Sequence, residues 1–194
     1  NGTPFPTKVV QPPEMRGCPA CLREDAAGSD LPPHLAMAMR GHWLVPHVSL
    51  CLEHEHPLVP LWRDPRPTSR VDSARHLAEI ADNLISGRFD KTLRDPTDFD
   101  VWLNDRLQGI TSGEWLDRQP LHAAANFCLM LGYALLRHEE IAPSAVDPDD
   151  RWGLQQMGFE IARGGEDAVR AALRGLQALP GGPYEGPKKV FPVL

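Results

Sequence analysis

The stretch MRGCPACLRED, residues 15–25, places Cys18 and Cys21 three positions apart, with a proline and an alanine between them. The next cysteine, Cys51, begins the stretch CLEHEHPL, and His54 follows it three positions later. Two close pairs of thiolate and imidazole donors are typical of structural zinc sites, in which four protein ligands surround the ion as a tetrahedron. The sequence therefore predicts that Cys18, Cys21, Cys51 and His54 bind one Zn2+ ion.

Two other uses of a C-x2-C pair fit this chain less well. A disulfide framework is typical of small secreted proteins, whereas a chain of 194 residues can bury a core without covalent links. A redox pair is expected where a strand meets a helix in a βαβ unit, and no such pattern surrounds residues 18–21. We therefore expect a metal-binding turn, in which Pro19 lowers the entropy that the chain loses on binding.

The fourth ligand is less clearly determined by the sequence than the three cysteines. Either His56 or His47 could replace His54, because both lie near Cys51 and imidazole is a good zinc ligand. The remaining cysteine, Cys128, lies within an apolar stretch. There we expect a thiol to pack as a small buried hydrophobic group.

The residues around the predicted site do not indicate catalysis. The segment HEHPL differs from the metalloprotease motif H-E-x-x-H, because position 58 is leucine. Glu53 and Glu55 could act as bases near the ion only if it kept an open position, and four protein ligands leave none. We therefore expect that the protein is not an enzyme.

Composition describes an ordinary folded protein with no excess of positive charge. Hydrophobic residues make up 42% of the chain, charged residues make up 24%, and the net charge is −6. Residues 1–67 carry six basic and seven acidic side chains, and residues 68–194 carry fourteen and nineteen. Neither part has the basic character that unaided nucleic-acid binding requires.

The ends of the chain and its hydropathy bear on its location. No apolar run approaches the roughly 20 residues that span a bilayer, and the N-terminus lacks the apolar core of a signal peptide. We therefore expect a cytoplasmic protein.

Because the chain begins without methionine and ends in the apolar stretch KKVFPVL, we also expect it to be cut from a longer protein.

Proline content predicts the domain organisation. Twelve of the twenty prolines fall within residues 1–67, which argues for irregular, turn-rich structure with short strands around HWLVPHVSL, because proline donates no backbone hydrogen bond. Residues 68–179 have helical periodicity. We predict an all-α fold in which a proline-rich zinc-binding knuckle, 1–67, precedes a bundle of about five helices, 68–179. A Gly/Pro-rich tail, 180–194, would lead to the missing remainder.

Capping signals divide the second region into five helices. We expect them to begin at the Ser69/Asp72 capping box, at Thr97 with Asp100, at Pro120, after Asp147-Pro148, and after Gly164-Gly165. The third, which runs to about Arg137, is apolar on nearly all sides and should be the central buried helix. The fifth should stop at PGGP, residues 180–183.

The cysteine-containing stretches resemble the zinc-finger region of the TniQ family. That family pairs C-P-x-C-L with an acidic residue, followed by W-x-x-P and then C-x-x-H. The positions that match this pattern are Cys18, Pro19, Cys21, Leu22, Trp43, Pro46, Cys51 and His54. Farther along, GFEIARGGEDAVRAAL, residues 158–173, is similar to a second segment of the same family, and LPGGP to the turn that follows it.

The resemblance implies a non-catalytic accessory protein of DNA transposition that binds zinc and helps to direct insertion to a target site. TniQ proteins work beside a transposase and an AAA+ ATPase, and some form dimers, so these proteins, a second copy of the chain and DNA are the partners it implies. Contact with protein is easier to defend than contact with DNA, because the chain is acidic.

The alternative is a transcriptional regulator in which residues 99–132 form a helix-turn-helix. This segment is too apolar to form the face of a recognition helix that contacts bases in a DNA groove. If the alternative is right, reversing the charge of exposed arginines such as Arg106 and Arg118 should abolish DNA binding.

Overall fold

The structure, a computed structural model, describes residues 13–135 and 148–177. Helices predominate in this part of the chain, which is roughly consistent with the predicted all-α bundle, and a few short strands are also present. The helices are α1 Pro19–Ala27, α2 Pro33–Ala36, α3 Pro67–Arg70, α4 Ser73–Ile85, α5 Asp98–Gln108, α6 Leu121–Leu135, α7 Pro148–Ala162 and α8 Gly165–Gln177. The strands are β1 Glu14–Gly17, β2 Leu50–Cys51, β3 His56–Pro57 and β4 Val59–Arg63, and 3-10 turns lie at Gly41–Leu44 and Leu116–Arg118.

The described residues divide into two compact units, one ending at Pro96 and the other beginning at Thr97. This division differs from the predicted domains 1–67 and 68–179, because α4 belongs to the unit that contains the cysteines. Helix α4 packs against α1 and α2 and buries Leu77, Ala81 and Leu84. The predicted tail, 180–194, lies outside the described residues.

Two antiparallel strand pairs organise the first unit. Strand β1 pairs with β4, and β2 pairs with β3. Gly17 ends β1 at a crowded point, because a Cβ atom there would lie 2.9 Å from both Trp43 and Leu61. Trp43 is almost fully buried. Its ring can lie against β1 because Gly17 has no side chain. This strand leads directly into Cys18.

Two local predictions for the N-terminal region are wrong. Residues 19–27 were expected to be irregular but form α1, because Pro19 occupies the first helical position, where it costs no hydrogen bond. The predicted Ser69/Asp72 capping box does not form. Ser69 lies in α3, and Asp72 caps α4 alone by accepting a hydrogen bond from Arg75 N at 3.3 Å.

The helix starts predicted for the second unit are confirmed where the structure describes them. Thr97 and Asp100 form a reciprocal capping box at α5. Helix α6 begins immediately after Pro120, and α7 begins at Pro148. The predicted end of α6 near Arg137, the cap at Asp147 and the stop at PGGP lie outside the described residues.

Helices α6 and α7 cross closely at two glycines. A Cβ atom on Gly132 of α6 would collide with the carbonyl of Leu154, and one on Gly158 of α7 would collide with the carbonyl of Cys128. The buried face of α6 includes Leu121, Ala124, Ala125, Cys128, Leu129 and Leu131. As predicted, α6 is the buried helix of this unit.

Candidate metal centre

Cys18 and Cys21 are held by the first turn of α1. Cys18 is the N-cap residue, and Leu22 N donates a hydrogen bond to its carbonyl at 3.3 Å. Residues three apart on a helix lie on the same face, so both thiols point to the same side of α1. The sequence predicted a turn without secondary structure here. A helix provides the same convergence with a more fixed backbone.

Cys51 and His54 are held by the β2–β3 hairpin. Cys51 pairs with His56 in the strand ladder, and residues 52–55 form the connection. Glu55 has a φ of 50°, a left-handed conformation that is uncommon outside glycine and that reverses the chain immediately after His54. This reversal sets the imidazole beside the Cys51 thiol, with Cys51 Sγ 3.6 Å from His54 Nδ1.

The four predicted ligands come together as a compact group whose ligand atoms all lie within 4.8 Å of one another. Cys21 Sγ lies 3.6 Å from Cys51 Sγ, and His54 Nδ1 lies 3.3 Å from Cys21 Sγ and 3.8 Å from Cys18 Sγ. In a tetrahedral zinc site, bond lengths of about 2.3 Å to sulfur and about 2.0 Å to nitrogen place two sulfurs about 3.8 Å apart and sulfur and nitrogen about 3.5 Å apart. The geometry therefore fits zinc.

The electrostatics of the three thiols also fit a cation. Hydrogen bonds from Cys18 and Cys21 lower the pKa of Cys51 well below its usual range. The same contacts raise the pKa of Cys21, since hydrogen bonding with Cys18 and Cys51 and burial all disfavour a second thiolate. These contacts thus stabilise the thiolate form of Cys51 and disfavour the thiolate form of Cys21. A divalent cation among the sulfurs would stabilise all three thiolates together.

His54 is oriented by Glu24 of α1. His54 Nε2 lies 2.9 Å from Glu24 Oε1, which assigns the proton to Nε2 and leaves the Nδ1 lone pair facing the sulfurs. Burial lowers the pKa of His54, but the hydrogen bonds to Glu24 and Cys51 outweigh it and the pKa is raised. A carboxylate that accepts from the far nitrogen of a ligating histidine is a common outer partner in metal sites.

Neither histidine named as an alternative ligand joins the group. His56 Nδ1 donates to the carbonyl of Pro57 at 2.6 Å, and His56 Nε2 accepts from Lys91 N at 2.9 Å. Both of its ring nitrogens are therefore used by backbone groups. His47 is buried but is not among the residues whose ligand atoms converge.

The other cysteine and the two glutamates are placed as follows. Cys128 is a fully buried free thiol in α6, and burial raises its pKa to about 12, as expected for a residue with only a packing role. Glu53 is exposed and lies with Oε2 4.0 Å from Cys21 Sγ. Glu55 is also exposed.

Sequence reasoning missed Glu24 as part of this centre. Its signal is its spacing, since Glu24 follows Cys21 by three positions and would share its helix face. That inference requires α1 to be recognised as a helix.

The segment that would form a helix-turn-helix folds as α5, a 3-10 turn and α6. Arg106, predicted to be exposed, has a side chain only 13% exposed and pairs with Asp117 at 3.2 Å. Arg118 is exposed and donates from Nε to the carbonyl of Gly113 at 3.1 Å. Arg106 is thus a structural residue of the turn, and reversing its charge would disturb the fold.

Within residues 13–135 and 148–177, no helix is both long enough and apolar enough to cross a membrane.

Comparison with known proteins agrees with the resemblance in the cysteine-containing stretches. No curated protein and no solved structure shows a significant match to the chain. The similarity to TniQ over residues 158–173 stays a prediction, because the family match ends before that segment. Residues 1–58 of the 194 match the TniQ family, which confirms the resemblance for the segment that contains Cys18, Cys21, Cys51 and His54.

Proposed function

We propose that this chain is a non-catalytic, zinc-binding, TniQ-like adaptor of DNA transposition, which helps in target-site selection by contacting other proteins of the transposition machinery. The observation that carries the proposal is the convergence of Cys18, Cys21, Cys51 and His54 within the segment that matches the family. TniQ proteins are accessory proteins of transposition, and a zinc-supported fold suits a protein that holds partners together.

The zinc ion would have a structural role. Three thiolates and one imidazole fill a tetrahedral coordination shell and leave no position for a reactive water. In this site the ion would join α1 to the β2–β3 hairpin, two elements whose cysteines are thirty positions apart in sequence. Metal binding of this kind supplies folding free energy directly.

Metal analysis tests the zinc proposal. We expect the purified chain to contain one zinc ion, measured by inductively coupled plasma mass spectrometry. Cys51→Ser should lower that content to near zero, because serine is a poor zinc ligand. Cys128→Ser is the matched control, since it removes a thiol outside the cluster and should leave the zinc content unchanged. Equal zinc content in Cys51→Ser and the unaltered chain would contradict the assignment.

The partners we propose are the AAA+ ATPase and the transposase of the same system, with DNA as a further candidate and a second copy of the chain as another. A net charge of −6 favours protein contacts over DNA contacts. Copurification of the chain with the purified ATPase or transposase would support the adaptor role. Binding of a fluorescent duplex that weakens as salt rises would add DNA as a partner.

The adaptor proposal and the zinc proposal can fail separately. A chain that contains zinc but binds neither the ATPase, the transposase nor duplex DNA would retain the metal centre and lose the adaptor role. Size-exclusion chromatography with light scattering would show whether the chain forms a dimer.

A further inference from the structure

The segment that joins the two units is fastened to the metal centre. We call residues 86–96 the connector, since it follows α4 and ends immediately before Thr97, the N-cap of α5. Lys91 N donates to His56 Nε2 at 2.9 Å, and Arg94 N donates to the carbonyl of Glu55 at 2.9 Å. Both acceptors lie within two positions of His54, on the hairpin that carries half of the predicted ligands.

A third contact joins the connector to the other half of the ligands. Arg23 Nη1 pairs with Asp90 Oδ1 at 2.6 Å and also donates to the carbonyl of Leu84 at 3.2 Å. Arg23 lies in α1 between Cys21 and Glu24. The connector is therefore held from α1 and from the hairpin, the two elements that the metal would join.

The connector is built of turns and coil rather than helix or strand. After the turn that follows α4 it has no regular secondary structure up to Thr97. None of its side chains is buried, and Leu93 is 60% exposed. Without an apolar core of its own, its order depends on polar contacts to neighbouring elements, and such segments open at low free-energy cost.

We propose that metal binding at Cys18, Cys21, Cys51 and His54 keeps the connector docked on the first unit, and that metal loss releases residues 88–95 as a mobile tether. This inference rests on the proposed zinc site. Without the ion, α1 and the hairpin are no longer joined at their cysteines, so the carbonyl of Glu55, the ring of His56 and the guanidinium of Arg23 lose their common alignment. Metal occupancy would then determine whether residues 88–95 are docked on the first unit or free.

Limited trypsin digestion tests the proposal directly, because the connector contains three cleavage sites, Arg88, Lys91 and Arg94. We expect zinc removal by a chelator to speed cleavage after Lys91 and Arg94 by about tenfold or more, since local opening controls proteolysis of a docked segment. Cleavage after Arg163, at the end of α7, is the internal reference and should not change. Fragment masses identify each site.

A variant that keeps all four ligands separates docking from metal loss. Arg23→Met removes the contacts to Asp90 and Leu84, so the zinc-loaded variant should be cleaved after Lys91 and Arg94 faster than the unaltered chain. Arg88→Met is the matched control. It removes an exposed arginine of the connector whose side chain donates to Asn83 Oδ1 near the end of α4, at 3.2 Å.

Each outcome decides between the proposals. If the chain binds zinc but its connector is cleaved at the same rate before and after chelation, this inference is overturned and the zinc site stands. The same holds if Arg23→Met is cleaved no faster than Arg88→Met. Equal acceleration after Arg16 and Lys91 on chelation would also overturn it, because the connector would then open only with the whole unit. A chain that binds no zinc would overturn the proposed function itself.

Discussion

Glu24 links the predicted ligand His54 to α1, the helix that also carries Cys18 and Cys21 at its start. Its carboxylate is 64% exposed, yet it lies 2.9 Å from His54 Nε2. The contact selects the tautomer in which Nδ1 faces the sulfurs. Since solvent weakens an exposed ion pair, the contribution of Glu24 is to orient His54 more than to add net stability.

We therefore expect Glu24→Gln to weaken zinc affinity by about tenfold, the lower end of the range for outer partners of ligating histidines. The amide can still accept a hydrogen bond but carries no charge. Competition with a chromogenic chelator measures the affinity. Asp30→Asn, an exposed carboxylate beyond the end of α1, is the control. An unchanged affinity in Glu24→Gln would contradict the role assigned to Glu24.

Asp117 is a buried carboxylate that organises the turn between α5 and α6. It accepts hydrogen bonds from Trp102 Nε1 at 2.7 Å, Ser112 N at 2.7 Å and Thr111 Oγ1 at 3.0 Å, and it pairs with Arg106. Burial alone would raise its pKa, but the hydrogen bonds from Trp102 and Ser112 outweigh burial and hold the pKa well below its usual range.

We expect Asp117→Asn to lower the free energy of unfolding by about 2 kcal/mol at neutral pH, because the NH2 group that replaces one carboxylate oxygen faces donors and cannot accept hydrogen bonds from them. A depressed pKa stabilises the fold above the unfolded-state pKa, about 3.9, and that contribution declines as the pH falls below it. The deficit of the variant should therefore shrink at pH 3, as measured by urea denaturation. Glu114→Gln, an exposed carboxylate of the same turn, should show no such dependence. A deficit that stays constant with pH would contradict this account.

Among the contacts between helices, the crossing of α6 and α7 constrains the second unit most. Gly158 lies against the carbonyl of Cys128, and Gly132 lies against that of Leu154. The missing side chains let the two backbones approach closely enough for the neighbouring residues to bury their apolar surfaces.

We expect Gly158→Ala to destabilise the chain by at least about 1 kcal/mol, because the steric conflict with Cys128 outweighs the gain of roughly 1 kcal/mol in helix propensity. Gly153→Ala on the same helix is the matched control. Its Cβ would meet nothing within 4 Å, so it should stabilise the helix. Thermal unfolding of both variants compares the two. A stabilised Gly158→Ala variant would show that the helices can move apart without cost.

At this scale the sequence predicted helix starts better than it predicted the structure near the cysteines. Thr97, Pro120 and Pro148 carry their signals locally, in residues that cap or begin a helix. Helix α1 was missed because its nine residues, which begin with a proline and include one of the cysteines, have weak helical periodicity. Its position depends on packing against α2 and α4, which no local pattern encodes.

The whole molecule consists of two units whose stability should respond differently to metal. The first buries a larger core of its own than its proline content suggested. Trp43, Leu22 and Leu61 lie in it, and α4 contributes Leu77 and Leu84. We therefore expect metal to stabilise an already folded unit rather than to be its only support.

We predict two thermal transitions in the zinc-loaded chain, of which chelation lowers only one. The transition of the first unit should fall by at least about 10 °C, which corresponds to roughly 2 kcal/mol for a domain of this size. The transition of α5 to α8 should not move. Differential scanning calorimetry measures both, and hydrogen exchange assigns each one to its residues. A single transition that shifts as a whole would show that the two units unfold together.

The sequence by itself determined which residues could bind a metal, because ligand chemistry depends on residue type, and the spacing of Cys18, Cys21, Cys51 and His54 made two close pairs. It also determined the helix starts that have local caps. Tertiary structure alone decided that the two pairs meet, since thirty positions separate Cys21 from Cys51. It also decided that α4 joins the first unit and that the connector is anchored beside His54. These features depend on contacts between residues distant in sequence, and local propensity carries no information about such contacts.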